Sequence, residues 1–158
     1  MKNLFRQLAG FLFFSPFVLA VYFCSLFIGK EKSIRFVGPV VTKVTKWSLR
    51  FFVPNIKNAA EFDLFPAKMK KNFWIWRPFY DFSVIEESRD VFKLKVMNCP
   101  FCEAIMLSGL KELAPYVCQG DWEKARENSD RWEFRREHQI GTGDTFCDHT
   151  YLRKRNAP

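Results

Sequence analysis

The sequence predicts an α+β protein, with an N-terminal transmembrane helix followed by a small domain of antiparallel strands packed with helices. Three observations predict it. Leu8 to Gly29 is a run of 22 residues without a charge. Phe92, Leu94 and Val96 alternate with Lys93 and Lys95, and Trp132, Phe134 and Arg136 alternate with Glu133, Arg135 and Glu137. That period of two marks half-buried strands. Between these strands Ala104, Leu107, Leu110, Leu113 and Ala114 are spaced as one apolar face of a helix.

As a helix, the uncharged run spans about 33 Å, enough for a hydrocarbon core of ~30 Å. Pro16 is tolerable inside such a span, at the cost of a kink. A secretory signal is the rival reading, because Lys2 and Arg6 resemble its basic start. The run is long for a signal, and no small-residue cleavage site follows it cleanly. The residues before Cys24 also lack the small types expected of a lipoprotein signal. A buried core helix is a third reading, and a retained single-pass anchor is the better one.

The chain has 158 residues and a formal net charge of +8. Residues 1–29 carry +2, residues 30–50 carry +5, and residues 51–158 carry only +1. A basic nucleic-acid groove in the main domain is therefore excluded. The excess reads instead as orientation and leaflet attachment. Lys30, Lys32, Arg35, Lys43, Lys46 and Arg50 all follow the span within about 20 residues, which places the C-terminal domain on the cytoplasmic side. The expected partners are the lipid bilayer and an integral membrane protein.

The chain divides into a membrane anchor (1–29), a basic and aromatic juxtamembrane region (30–80) and a cysteine-containing domain (81–158). In the second part Val40, Val44, Trp47 and Phe51 recur at helical spacing after Pro39, with Lys43, Lys46 and Arg50 on another face. Such a basic amphipathic helix suits either an anionic leaflet or an ordinary packed surface. The block Phe73-Trp74-Ile75-Trp76-Arg77-Pro78-Phe79-Tyr80 fits an interfacial anchor, a core strand or a docking surface.

In the third part Pro100 suits a helix start, Gly109 weakens that helix, and Pro115 should end or bend it. Asp121 to Ser129 is polar enough for a short exposed helix. The Trp132 and Thr145–Arg153 runs form a candidate hairpin around the turn at Gly141-Thr142-Gly143-Asp144.

Four of the five cysteines, Cys99, Cys102, Cys118 and Cys147, lie in this part. Three readings stand beside each other. Buried free cysteines serve as small apolar residues. A thiol beside a helix N-terminus or a cation can be a nucleophile, with Asp121 as an acid–base partner. Thiolates with imidazole can also hold iron or zinc, through Cys102 and His149 with Cys99 and Cys147. A straight helix from 100 to 117 would be about 27 Å long, so Cys99 and Cys118 can meet only if the chain bends near Gly109 or Pro115.

Residues 90 to 152 carry a spaced pattern. A strand leads to Cys99-Pro100-Phe101, and a helix follows with Gly109 to Leu113. Then come Cys118-x-x-Asp121, an Arg-containing strand, and Gly143-Asp144 leading to Cys147-Asp148. The pattern resembles the L-2-amino-thiazoline-4-carboxylic acid hydrolase family. A looser likeness exists to the plastid β-carotene isomerase family, which is associated with iron. The first resemblance implies hydrolytic opening of a thiazoline ring, cleaving a C–N or C–S bond. It implies a site made of Cys99, Cys118, Asp121 and Cys147, with Glu103 and Asp148 at further motif positions. His149 stands where the family usually has an aromatic residue. A non-catalytic accessory subunit of a membrane complex is the alternative role.

Overall fold

The computed structural model describes residues 2–154. Two long antiparallel helices open the chain, α1 (Lys2–Ile28) and α2 (Lys30–Ser48). Gly29 separates them with φ 79°, a left-handed backbone that glycine adopts without steric cost. Two short helices follow, α3 (Phe65–Lys71) and α4 (Phe73–Trp76), then β1 (Phe82–Glu87) and β2 (Val91–Val96). Helices α5 (Pro100–Leu107) and α6 (Ala114–Glu127) lead to the final hairpin, β3 (Trp132–Arg135) and β4 (Cys147–Arg153).

The four strands form one antiparallel sheet in the order β1-β2-β4-β3. The α+β class with antiparallel strands is as expected. So is the hairpin, in which Phe134 pairs with Tyr151 and Trp132 with Arg153. Register places Val96 opposite Cys147, Leu94 opposite His149 and Phe92 opposite Tyr151. Residues directly opposite share a face, so Cys147, His149 and Tyr151 all point inward with the buried side chains of β2.

Two features depart from the sequence reading. Helix α2 begins ten residues before Val40, at Lys30, because only Gly29 interrupts the helical backbone; Pro39 sits in its interior. Its buried face is Ile34, Val37, Gly38, Val41, Thr42 and Thr45, whereas Val40, Trp47 and Phe51 are exposed. The small residues lie inward because α6 packs closely on this face. A Cβ on Gly38 would come within 2.5 Å of the Tyr116 ring, and one on Gly120 would strike the Thr45 hydroxyl. Pro115 does not end a helix: it occupies the first turn of α6, where its missing N–H costs nothing. The block from Phe73 is a short helix and turn, with Phe73 buried and Trp74 exposed.

Helix α1 is long and apolar enough to cross a membrane by length and composition, a test that a signal sequence near an N-terminus also passes. One stripe of it, Arg6, Gly10, Phe14 and Val21, is buried. That stripe lies on α5 and α2. Arg6 forms an ion pair with Asp81 and donates from Nε to the Pro78 carbonyl at 3.2 Å. Phe13 and Phe14 pack on Phe101, and the Tyr22 hydroxyl donates to the Ser108 carbonyl. The opposite stripe, including Leu8, Leu12, Leu19, Phe23 and Leu26, is exposed.

Candidate functional site

The site is assembled where α5, α6 and the β3–β4 hairpin converge. Helix α5 ends at Ser108, and Gly109 (φ 71°) turns the chain before a short 3-10 turn at Lys111–Leu113. Helix α6 then runs back past α5. This is the bend that a meeting of the N-terminal and C-terminal cysteines requires. Cys118 and Asp121 lie three residues apart on α6 and therefore share a face. That face meets the inward row of β4, with Cys147 and His149, and Arg136 just beyond β3.

The cysteines form a connected cluster. The thiols of Cys102 and Cys147 both hydrogen-bond to Cys118, and the backbone of Gly141 does the same. These donors, then the positive charge of Arg136, pull the Cys118 thiol down from its ordinary value to about 3, against the opposing effect of burial. These contacts favour the thiolate form of Cys118. Its donors move the other way. The Cys102 thiol is pushed up by its bond to Cys118, its contact with Cys99 and burial. The Cys147 thiol is pushed up chiefly by its bond to Cys118, although it accepts the Ile140 N–H at 3.2 Å. One negative charge is thus concentrated on one sulfur.

Arg136 holds this arrangement together. Its Nη1 lies 2.6 Å from the Asp121 carboxylate, and its Nη2 donates to the Cys118 carbonyl at 2.8 Å. Its side chain is 1% exposed. A further contact from Nη1 reaches His149 Nε2 at 3.4 Å. Guanidinium can only donate, so Nε2 accepts and the imidazole proton sits on Nδ1. Burial lowers the His149 pKa, which keeps the ring neutral. His149 Nδ1 is buried and has no hydrogen-bond partner among the described residues.

Asp148 serves a different purpose from its neighbours. Its Oδ1 accepts the backbone N–H groups of Glu137 and His138, which shapes the loop leaving β3. Glu103 lies in the first turn of α5, where its charge acts on Arg6 of α1.

Cys99, Cys118, Asp121, Cys147 and His149 all line one cavity of about 80 Å³. A water requires roughly 10–15 Å³ by this measure, so there is room for roughly five to eight waters or one small ring. Cys102 lies behind this wall, fully buried. The other walls include Phe52, Trp76, Tyr80, Phe82 and Phe101. The expected residues Cys99, Cys118, Asp121 and Cys147 are therefore brought together. Among the described residues, no group of three or more His, Cys, Asp or Glu side chains is arranged to hold a metal ion. The iron or zinc reading of Cys102 and His149 gains no support.

Two members of the site escaped the sequence reading. Arg136 sat in the alternating run with Trp132 and Phe134, and a charge on the inward phase of a strand was the available signal. Tyr80, partly buried and with its pKa pushed up by its apolar surroundings, closes an aromatic block with no periodicity to mark it.

No curated protein sequence matches the chain. The family model for L-2-amino-thiazoline-4-carboxylic acid hydrolase matches residues 14–151. The match begins in α1, so the likeness extends well beyond residues 90 to 152 and beyond the C-terminal part. With most of its length covered, the chain belongs to the L-2-amino-thiazoline-4-carboxylic acid hydrolase family.

Proposed function

We propose that this protein is a membrane-associated thiol hydrolase in which Cys118 is the nucleophile and Asp121 the acid–base partner. The observation that carries the reading is that Cys118 and the Asp121 carboxylate share one cavity wall, with Arg136 bonded to both residues and the surroundings of Cys118 lowering its thiol pKa. An activated sulfur of this kind attacks an electrophilic carbon bonded to nitrogen or sulfur. The leaving atom takes its proton from a water molecule in the cavity as the bond to carbon breaks and the carbon–sulfur bond to Cys118 forms. Water, deprotonated by Asp121, then releases the acyl group and restores the thiolate. Cys102 and Cys147 act as hydrogen-bond donors to the nucleophile, and Cys99 stands at the cavity wall.

Membrane association is supported by the apolar stripe of α1 that faces away from α5 and by the exposed Trp47 and Phe51 beside Arg50. The test uses the full chain in mild detergent. Hydrolysis of a thiazoline or thioester is expected, lost on Cys118→Ala and Asp121→Ala and retained on Cys24→Ser. Turnover unaffected by Cys118→Ala would refute the reading. Retention of the protein in membranes through an alkaline carbonate wash tests the attachment.

A further inference from the structure

We infer that the α1–α2 hairpin lies flat on one anionic leaflet and that α1 does not cross the bilayer. This rests on the membrane attachment proposed above and gives it a geometry and a lipid.

Docking fixes the orientation of α1. Arg6 pairs with Asp81 near its start, Gly10 lies against the Pro100 carbonyl, and the Tyr22 hydroxyl donates to the Ser108 carbonyl. From Arg6 to Tyr22 these contacts run for about 24 Å along the helix axis. Just beyond the end of α1, Lys30 Nζ donates to the Gly109 carbonyl at 3.0 Å. Whatever depth α1 takes in a membrane, the helices packed along it take too.

Helix α2 is unsuited to hydrocarbon. It runs back along α1 from Gly29, so Lys43 stands about level with Ser15, the middle residue of α1. A spanning α1 would carry Lys43 toward the centre of the bilayer, where a lysine is costly to place. Lys46 and its ion-pair partner Glu127 of α6 would follow.

The outward faces decide what the hairpin touches. Helix α1 packs on α2 and α5, α2 packs on α6, and α5 packs on α6. The hairpin is thus one layer laid over α5 and α6, and its outer side faces away from both. There α1 presents Leu4, Leu8, Leu12, Leu19, Phe23 and Leu26, all exposed. Helix α2 and the helical turn after it present Lys32, Phe36, Val40, Lys43, Trp47 and Arg50, also exposed and spaced by three or four residues.

The charge on this side has one sign. Helix α1 has no acid, and the one acid of α2, Glu31, is paired with Arg35 at 2.6 Å. Such a surface matches a leaflet, with apolar side chains in the acyl boundary and cations among anionic headgroups. The Arg50 guanidinium lies over the Trp47 ring at 4.1 Å, which sets a cation beside an aromatic ring suited to headgroup depth. The lipid-facing side of an integral protein offers these cations no counter-charge, whereas an anionic leaflet does.

Two measurements on the full chain test this. For topology, an epitope tag is placed at each end and protease is added to sealed, washed bacterial membrane vesicles. Both tags are expected to share one fate, cut together or protected together until detergent is added. One tag cut and the other protected overturns the inference and leaves membrane attachment in place. For the lipid, purified chain is floated with vesicles of phosphatidylcholine alone or with added phosphatidylglycerol. Binding to the anionic vesicles is expected to be at least about tenfold stronger and to weaken in high salt. Combined Lys32→Gln, Lys43→Gln and Arg50→Gln should remove most of that preference. Equal binding to both vesicles overturns the inference, as does an undiminished preference in the folded triple variant. The wild-type results stand whether or not the variant folds. Retention in native membranes without binding to either vesicle makes this a protein-docking face and also overturns it. Absence from membranes altogether sinks the attachment reading as well.

Discussion

Cys102 and Cys118, brought together by the reversal of the chain at Gly109, shift each other's ionisation in opposite directions, Cys118 down and Cys102 up. This contact sets the ionisation of Cys118. An ordinary thiol with a pKa near 8.5 reacts about tenfold faster with each added pH unit below that value. Cys118 is already ionised above pH 3, so its alkylation by iodoacetamide should change less than about twofold between pH 5 and pH 8. Mass spectrometry of the Cys118 peptide reads the rate. A tenfold rise per unit would show an ordinary thiol.

The same ionisation links stability to pH. Between about pH 3 and pH 9 the unfolded chain holds a proton on Cys118 that the folded chain has released. The unfolded state binds more protons there, so stability rises with pH. Cys102 and Cys147 have raised values and keep their protons in both states over this range, so they add no opposing slope. Their effect begins above pH 9 and destabilises the fold. Urea unfolding at stepwise pH should therefore show a positive slope from pH 5 to pH 8 that is shallower in Cys118→Ala. Parallel curves would place the depressed thiol elsewhere.

Arg136 neutralises a carboxylate that has little access to water. Arg136→Met keeps the length of the side chain and leaves Asp121, with its side chain 14% exposed, without its cation. Breaking such a pair costs about 3 kcal/mol. Arg136→Lys should recover part of this through charge, although it cannot reach Asp121 and the Cys118 carbonyl with a planar fork. The three midpoints in urea should fall in the order wild type, Lys, Met. In both variants the alkylation rate of Cys118 should regain some pH dependence, since its nearest cation has moved or gone.

Gly141 is held to its small size by the nucleophile. A Cβ there would lie 2.6 Å from the Cys118 sulfur and 2.7 Å from the Ala114 carbonyl oxygen. The backbone carbonyl cannot swing aside, so Gly141→Ala must displace the loop and with it a hydrogen bond to the thiolate. Overpacking of this kind costs about 1–3 kcal/mol. Gly143→Ala is the matched control. Gly143 has φ 109° with nothing within 4 Å of an added Cβ, so its cost is backbone strain alone. Both variants should lose stability, but only Gly141→Ala should steepen the pH dependence of Cys118 alkylation.

Much of the architecture was legible because periodicity survives in buried elements. The alternation at Phe92, Leu94 and Val96 and at Trp132 and Phe134 places real strands with the predicted inward faces. β1 was not legible, because Val84 and Ile85 are both exposed on an edge strand and carry no alternation. The α2 face was read from its largest apolar residues, Val40, Trp47 and Phe51. Close packing on α6 instead selects glycine and threonine for the inside, so large residues are pushed outward. The site cysteines were visible as spacing. Their ordering into one acceptor and two donors was not, since it depends on which sulfur lies between the others and beside Arg136. Those are tertiary facts that no local pattern records.

Gly10 tests whether the docking of α1 reaches the site. In an unpacked helix, Gly→Ala stabilises by about 1 kcal/mol through backbone entropy. Here a Cβ on Gly10 would strike the Pro100 carbonyl in the first turn of α5, and backbone cannot yield as a flexible side chain does. The clash costs about 1–3 kcal/mol and exceeds the propensity gain. Gly10→Ala should therefore lower the unfolding midpoint. It should also raise hydrogen exchange along α1, because the Arg6–Asp81 pair and the Tyr22 bond to Ser108 hold the same interface. Phe13 and Phe14 lie against Phe101, which lines the cavity, so a displaced α1 loosens one aromatic wall. Slower hydrolysis in Gly10→Ala, with the flat pH profile of Cys118 alkylation intact, is the expected pair of results. A raised midpoint would mean that α1 does not rest on α5 in solution.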